Sequence, residues 1–214
     1  MKPAENPNQT EPGSAPPTHP LPLKNHLRRL TKTLLIATLL LTAMSGGLWY
    51  WHHLHYPYGS THRCSKILTM HLVSYANEHQ GQFPQPTHEN QLGLDLLFTN
   101  LGTDDSNLEL IVGKAGNPKK ARNFYQNHGY LKPEHSSWHY IPGLTTADLG
   151  RALAWDNPPL THNGQKIDSN PREVLLISEG SVHVQVITEA QWPEFLAKQN
   201  KLAANAKKAI STAP

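Results

Sequence analysis

Fourteen histidines stand among 214 residues, so metal chemistry is the first possibility to weigh. His52, His53 and His55 are close enough to chelate an ion, but they follow Trp49, Tyr50 and Trp51 at the edge of an apolar run, where polar aromatic side chains are common. His135 and His139 have the i, i+4 spacing by which a helix presents two zinc ligands. The glutamate expected after the first is replaced by Ser136, and Ser136-Ser137 with aromatic neighbours argue against a helix there. Ser181 and His183 alternate along one strand and share a face, without the geometry of a nucleophile and its base.

Residues 113–120 read Gly-Lys-Ala-Gly-Asn-Pro-Lys-Lys, superficially a phosphate loop. The pattern lacks the GxxxxGK[ST] frame and Pro118 removes an amide, so it reads as a solvated basic loop. Asp104-Asp105 reads as a turn in preference to a weak calcium site. Cys64 is the single cysteine, which excludes a disulfide framework and a CxxC site. Thr61-His62-Arg63 before it lacks the small apolar run of a lipid attachment signal, leaving Cys64 as a semi-buried side chain on a helix. No residue is therefore named as catalytic, cofactor-binding or metal-ligating, and no small-molecule substrate is evident.

The elements that would position such groups follow from composition and period. Residues 1–23 are proline-rich without apolar periodicity and read as a disordered tail. Residues 24–33 form a basic flank carrying Lys24, Arg28, Arg29 and Lys32. Residues 34–51 are uncharged and mostly apolar. As a helix this run spans roughly 27 Å, close to the thickness of a bilayer core. With all the flanking charge on its N-terminal side, the positive-inside rule puts the N-terminus in the cytoplasm and the rest outside. A cleaved signal peptide, with Ala43-Met44-Ser45 as its cleavage site, and a twin-arginine signal at Arg28-Arg29 are weaker fits. The formal charge of +3 lies wholly in residues 1–56, and residues 57–214 carry fourteen charges of each sign. A neutral folded part does not suit nucleic acid.

Tyr56-Pro57-Tyr58-Gly59 breaks the helix. Ser60 or Thr61 caps a second one running to about Glu78, with Cys64, Ile67, Leu68, Leu72 and Tyr75 as its buried stripe. Gly81-Gln82-Phe83-Pro84 stops it, and a short helix covers 91–101. Residues 102–133 are loop-rich and carry no assignment. A short strand is predicted at 137–141, and a hairpin from runs 172–178 and 182–187 around Glu179-Gly180-Ser181. Both faces of 172–178 carry apolar residues, so that strand is central. Thr188 and Gln191 form a capping box that opens a last helix to about Lys198, followed by a flexible tail at 199–214.

This order of features resembles bacterial pseudopilin-like proteins of the type II secretion class, the variants with a His…Asp-Gly signature. The residues that carry it are Cys64, Leu68 and Tyr75, then Gly81-Gln82-Phe83-Pro84, Trp138 through Leu144, His162-Asn163-Gly164, and Arg172 through His183. The likeness covers residues 60–197 or so and implies a fold, with no active site. The chain departs from the family where its span begins, Arg29-Leu30-Thr31-Lys32-Thr33-Leu34, which lacks the glycine, phenylalanine and glutamate of prepilin peptidase substrates. Pro57 and Gly59 interrupt what would be one long helix, and Glu179 stands where aspartate is usual. Processing and filament assembly are therefore not implied.

The expectation is an α+β protein: an N-terminal transmembrane helix, an amphipathic helix packed on a small antiparallel sheet, and a C-terminal β-hairpin and helix. Its folded domain occupies residues 57–198. The implied role is a non-enzymatic, single-pass structural or interaction protein of the bacterial inner membrane, with a periplasmic domain and other membrane or secretion-type proteins as partners. The alternative is a periplasmic metal-binding protein or metal-dependent hydrolase using scattered histidines.

Overall fold

The computed structural model describes residues 23–59, 65–98, 102, 104–167, 169 and 171–212. The proposed tail up to residue 22, Cys64 and the capping residues Ser60 and Thr61 lie outside them. The chain divides into two compact units between Leu48 and Trp49. The architecture is α+β, with an apolar N-terminal helix and a four-stranded antiparallel sheet.

The first helix, α1, runs Leu23–His55, and its stretch Leu27–His55 is long and apolar enough to cross a membrane. Its leucines are exposed on every side, from Leu34 and Leu35 to Leu39, Leu40 and Leu41. The hydroxyls that interrupt the run do not need water. Thr38 donates to the Leu34 carbonyl at 2.8 Å, Thr42 to that of Thr38 at 3.0 Å, and Ser45 to that of Leu41 at 2.7 Å. Such back-bonding is how polar side chains are satisfied in hydrocarbon. The helix ends where Pro57 follows, and Gly59 takes a positive φ of 82°.

Helix α2 (Ser65–Glu78) buries Leu68, Leu72, Tyr75 and Ala76. Ile67, expected in that stripe, is 47% exposed. Steps of four and three from Leu68 define the buried line, and Ile67 sits about 100° around the helix from it. The chain reverses at Gly81, whose φ is +84° and whose amide reaches the Ala76 carbonyl at 2.7 Å. A Cβ there would lie 2.7 Å from Thr146 Oγ1. Glycine is thus required twice, for the turn and for the close approach of the 144–146 loop.

The sheet is a meander of β1 (Trp138–Tyr140), β2 (Ala152–Asp156), β3 (Arg172–Ser178) and β4 (Ser181–Ile187), paired in that order. Strand β3 is interior and apolar on both faces, because each face has its own cover. Leu175 and Ile177 join the main core with Leu68 and Leu72. Val174 and Leu176 pack on the other side with Ala152 and Ile187, against Trp155, Trp192 and Phe195.

Trp192 and Phe195 belong to α5 (Trp192–Thr212), which continues well past Lys198, where the sequence suggested a tail. The same helix face carries Gln199, whose Oε1 accepts from the Ala152 amide at 2.8 Å and whose Nε2 donates to the Gly150 carbonyl at 3.0 Å. Alanine, leucine and lysine are strong helix formers, so the Ala/Lys sequence carries the helix onward once its first turns dock on the sheet.

Two helices fill the segment left unassigned, α3 (Asp105–Val112) and α4 (Pro118–His128). Asp104 caps the first, accepting from the Asn107 amide at 2.8 Å, so it is a helix cap and not a free turn. Asn117 caps the second, accepting from the Lys120 amide at 3.1 Å, with Pro118 at its first turn and Gly129 in the left-handed region beyond its end. Within the short helix expected over 91–101, Leu94–Leu97 form a 3-10 turn that runs into a helical Phe98, and residues 99–101 lie outside the described residues.

Candidate functional site

Gly113 and Gly116 bracket a tight loop between α3 and α4. A Cβ on Gly113 would lie 2.3 Å from Ser137 Oγ, and one on Gly116 would lie 2.2 Å from Val112 Cγ1. The loop is pressed against the start of β1, where the Ser137 amide donates to the Val112 carbonyl at 2.8 Å. Its lysine consequently points inward. Lys114, assigned to a solvated basic loop from sequence, is only 1% exposed and is among the largest fully buried side chains.

The ammonium lies 3.0 Å from Glu173 Oε2 on β3 and 3.6 Å from Asp156 Oδ2 at the end of β2. It also donates to the Leu160 carbonyl at 3.2 Å. The Glu173 contact is an ion pair outside hydrogen-bonding angles, since Oε2 has no hydrogen-bond partner despite the short separation. Asp156 is held by backbone: its Oδ1 accepts from the Glu173 amide at 2.9 Å and its Oδ2 from the Leu160 amide at 3.4 Å. The site combines one cation with two carboxylates in a nearly sealed interior. Desolvation, reinforced by the negative charge of Glu173, pushes the Asp156 carboxyl up to about 6, while Lys114 and the backbone amides oppose the shift. His162 stands at the rim, its Nδ1 3.9 Å from Glu173 Oε1.

A second buried acid sits under the 3-10 turn. Asp95 Oδ2 accepts from the Leu131 amide at 2.8 Å and from Gln91 Nε2 at 3.1 Å, while Oδ1 has no hydrogen-bond partner. Desolvation raises its pKa, opposed by the hydrogen bonds from the Leu131 amide and Gln91. A carboxyl whose folded pKa is raised holds its proton longer in the folded state than in the unfolded one. Its contribution to stability is full below the unfolded value near 3.8 and is lost as pH rises through the folded value. Melting of the full chain in detergent as pH rises from about 3.8 should therefore contain a component that falls with pH. That slope should shrink in Asp95→Asn. A gap between the two proteins that stays constant over the same range would show that Asp95 does not titrate there.

Among the described residues the histidines are dispersed, although His128 and His135 share the ring of Phe124. Several stack on aromatic rings, His53 on Trp49, His79 on Tyr75, His128 on Phe124 and His139 on Trp155, while His55 is tilted against Trp51. His135 is buried against Phe124 and its Nδ1 accepts from the Lys132 amide at 3.1 Å, closing a 3-10 turn. Burial lowers its pKa, in keeping with that acceptor role. His183 is exposed on β4 with Ser181 on the same side. Among the described residues no group of three or more His, Cys, Asp or Glu side chains is arranged to hold a metal ion.

The rest of the basic loop builds no anion site either. A cleft of about 540 Å³ beside the start of α4 is lined by Lys119 and Arg122, but equally by Asp105 and Glu109. Arg122 is ion-paired with Asp105.

The burial of Lys114 has a signal in the sequence: Asn117-Pro118 marks a helix start, and two glycines three residues apart leave little chain to carry a side chain outward. Its partners, 42 and 59 positions further on, have none. Compared with known proteins, the chain matches no protein-family model, no curated protein and no solved structure.

Proposed function

We propose that this chain is a single-pass membrane-anchored protein whose folded domain acts by binding other proteins, in the manner of a type II secretion pseudopilin. The observation that carries the reading is α1, a helix whose apolar side chains face outward all round and whose hydroxyls are satisfied internally. Support also comes from the domain, an α-helix against an antiparallel meander in which the cluster of Lys114, Asp156 and Glu173 is sealed inside the fold. In this reading the membrane is the bacterial inner membrane, the N-terminus is cytoplasmic and the domain is periplasmic, since Arg28, Arg29 and Lys32 all precede the apolar run. Tethering keeps a weak binder near its partner at high effective concentration.

Orientation is tested directly. Protease added to spheroplasts should digest residues 57–214 and spare an N-terminal fragment, and protection of the domain would reverse the assignment. For function, the full chain recovered from detergent-solubilised membranes should bring secretion-type membrane proteins with it. Releasing residues 57–214 into the periplasm as a soluble fragment should abolish that association. Single substitutions of His135, His139, His162 or His183 should leave it largely intact. Loss of association on one histidine substitution in a folded protein, with the released domain still competent, would favour histidine chemistry over tethered binding.

A further inference from the structure

We propose that Lys114 and Asp156 condense into an intramolecular isopeptide bond, with Glu173 carrying the proton. Three requirements of that reaction meet at this point. The nucleophile and electrophile are neighbours, Lys114 Nζ standing 3.6 Å from Asp156 Oδ2. A proton carrier touches the nucleophile, Glu173 Oε2 being 3.0 Å from Nζ. Water is excluded, with Lys114 and Asp156 each 1% exposed.

The step balances without a co-reactant. Proton transfer within the ion pair, from the ammonium to the Asp156 carboxylate, gives an amine and a carboxylic acid. The Nζ lone pair attacks Cγ of Asp156 and the N–C bond forms. Glu173 takes the proton released from nitrogen and delivers it to the departing hydroxyl. The Cγ–O bond breaks, one water leaves, and Glu173 returns to its carboxylate form. The three side chains carry one net negative charge before and after, so the reaction places no new charge in the interior.

The surroundings favour this course over a lasting ion pair. Burial that drives Asp156 toward its neutral form supplies the electrophile, since a carboxylate resists attack. Both reactants are oriented: Oδ1 by the Glu173 amide at 2.9 Å and Nζ by the Leu160 carbonyl at 3.2 Å. Holding the two groups in one place removes the entropy cost of bringing them together. The dry site also protects the amide from hydrolysis and favours loss of water. The bond would tie the loop between α3 and α4 covalently to the end of β2, and it would do so whether or not the domain serves a secretion apparatus.

Intact-mass measurement of the full chain, purified in detergent, tests this. The protein should weigh about 18 Da less than its sequence, the mass of one water. Peptide mapping should recover a branched peptide joining Lys114 to Asp156. Lys114→Arg and Glu173→Gln chains should show the sequence mass. A parent protein at full sequence mass, with separate Lys114 and Asp156 peptides, would overturn the proposal, as would a lost water that maps elsewhere. A Glu173→Gln chain that cross-links as fast as the parent would overturn the role given to Glu173.

Discussion

Measured against the uncondensed, ion-paired form of the chain, replacing Lys114 with methionine should destabilise the domain by about 3–5 kcal/mol, the range seen when one partner of a buried ion pair is removed. Methionine matches the lysine stem in volume, so the loss is electrostatic. It leaves Asp156 and Glu173 facing each other without the cation that lies 3.6 Å and 3.0 Å from them. It also strips the Leu160 carbonyl of the donor at 3.2 Å. The measurement is a denaturant titration of the full chain in detergent, followed by near-UV circular dichroism. A triple variant that adds Asp156→Asn and Glu173→Gln should recover much of the loss, because uncharged groups of similar shape remove the buried repulsion. If Lys114→Met alone unfolds at the parent's midpoint, the lysine is solvated and the buried site described above does not exist.

Legibility in the sequence tracked how local each signal was. The apolar run, the break at Pro57 and Gly59, the stripe Leu68–Leu72–Tyr75 and the hairpin around Gly180 are all set by residues within a few positions of one another. Helices α3 and α4 were equally local. Asp104, Asn117-Pro118, Gly113 and Gly129 are cap residues in the right places, hidden by the short length of α3 and the polar composition of α4. Strand β2 was missed because Ala152-Leu153-Ala154-Trp155 does not alternate; it is covered on both faces and needs no polar side. The far end of α5 was missed for a related reason. Gln199 is an ordinary surface residue until Ala152 of β2 and Gly150 just before it are presented to it. The charged centre was the least legible of all. Lys114, Asp156 and Glu173 are brought together by the pairing of β2 with β3 and by the α3–α4 loop pressing on β1, and no spacing along the chain encodes that.

Leu176→Asp should abolish cooperative folding of the domain, the largest effect expected of any single change here. The side chain is 7% exposed on the interior strand β3, opposite Ala152 on one side and His183 on the other. It packs among Ala152, Val174 and Ile187, with Trp155, Trp192 and Phe195 closing the cluster from β2 and α5. Two terms act in the same direction. Removing a buried leucine side chain costs about 2–5 kcal/mol through lost transfer energy and the cavity left behind. The new carboxylate must then stay ionised without a partner or take up a proton, at a further cost of several kcal/mol. The sum rivals the whole stability of an ordinary domain, about 5–15 kcal/mol. Val186→Asp on β4 is the matched control. Val186 is 54% exposed, so the same chemical change one strand away should shift stability by only about 0.5 kcal/mol. The two variants separate burial from strand propensity, since valine and leucine both become aspartate within paired strands. Equal melting temperatures for Leu176→Asp and Val186→Asp would mean that α5 does not cover this face of the sheet, and the assignment of Trp192 and Phe195 to the second core would fall with it.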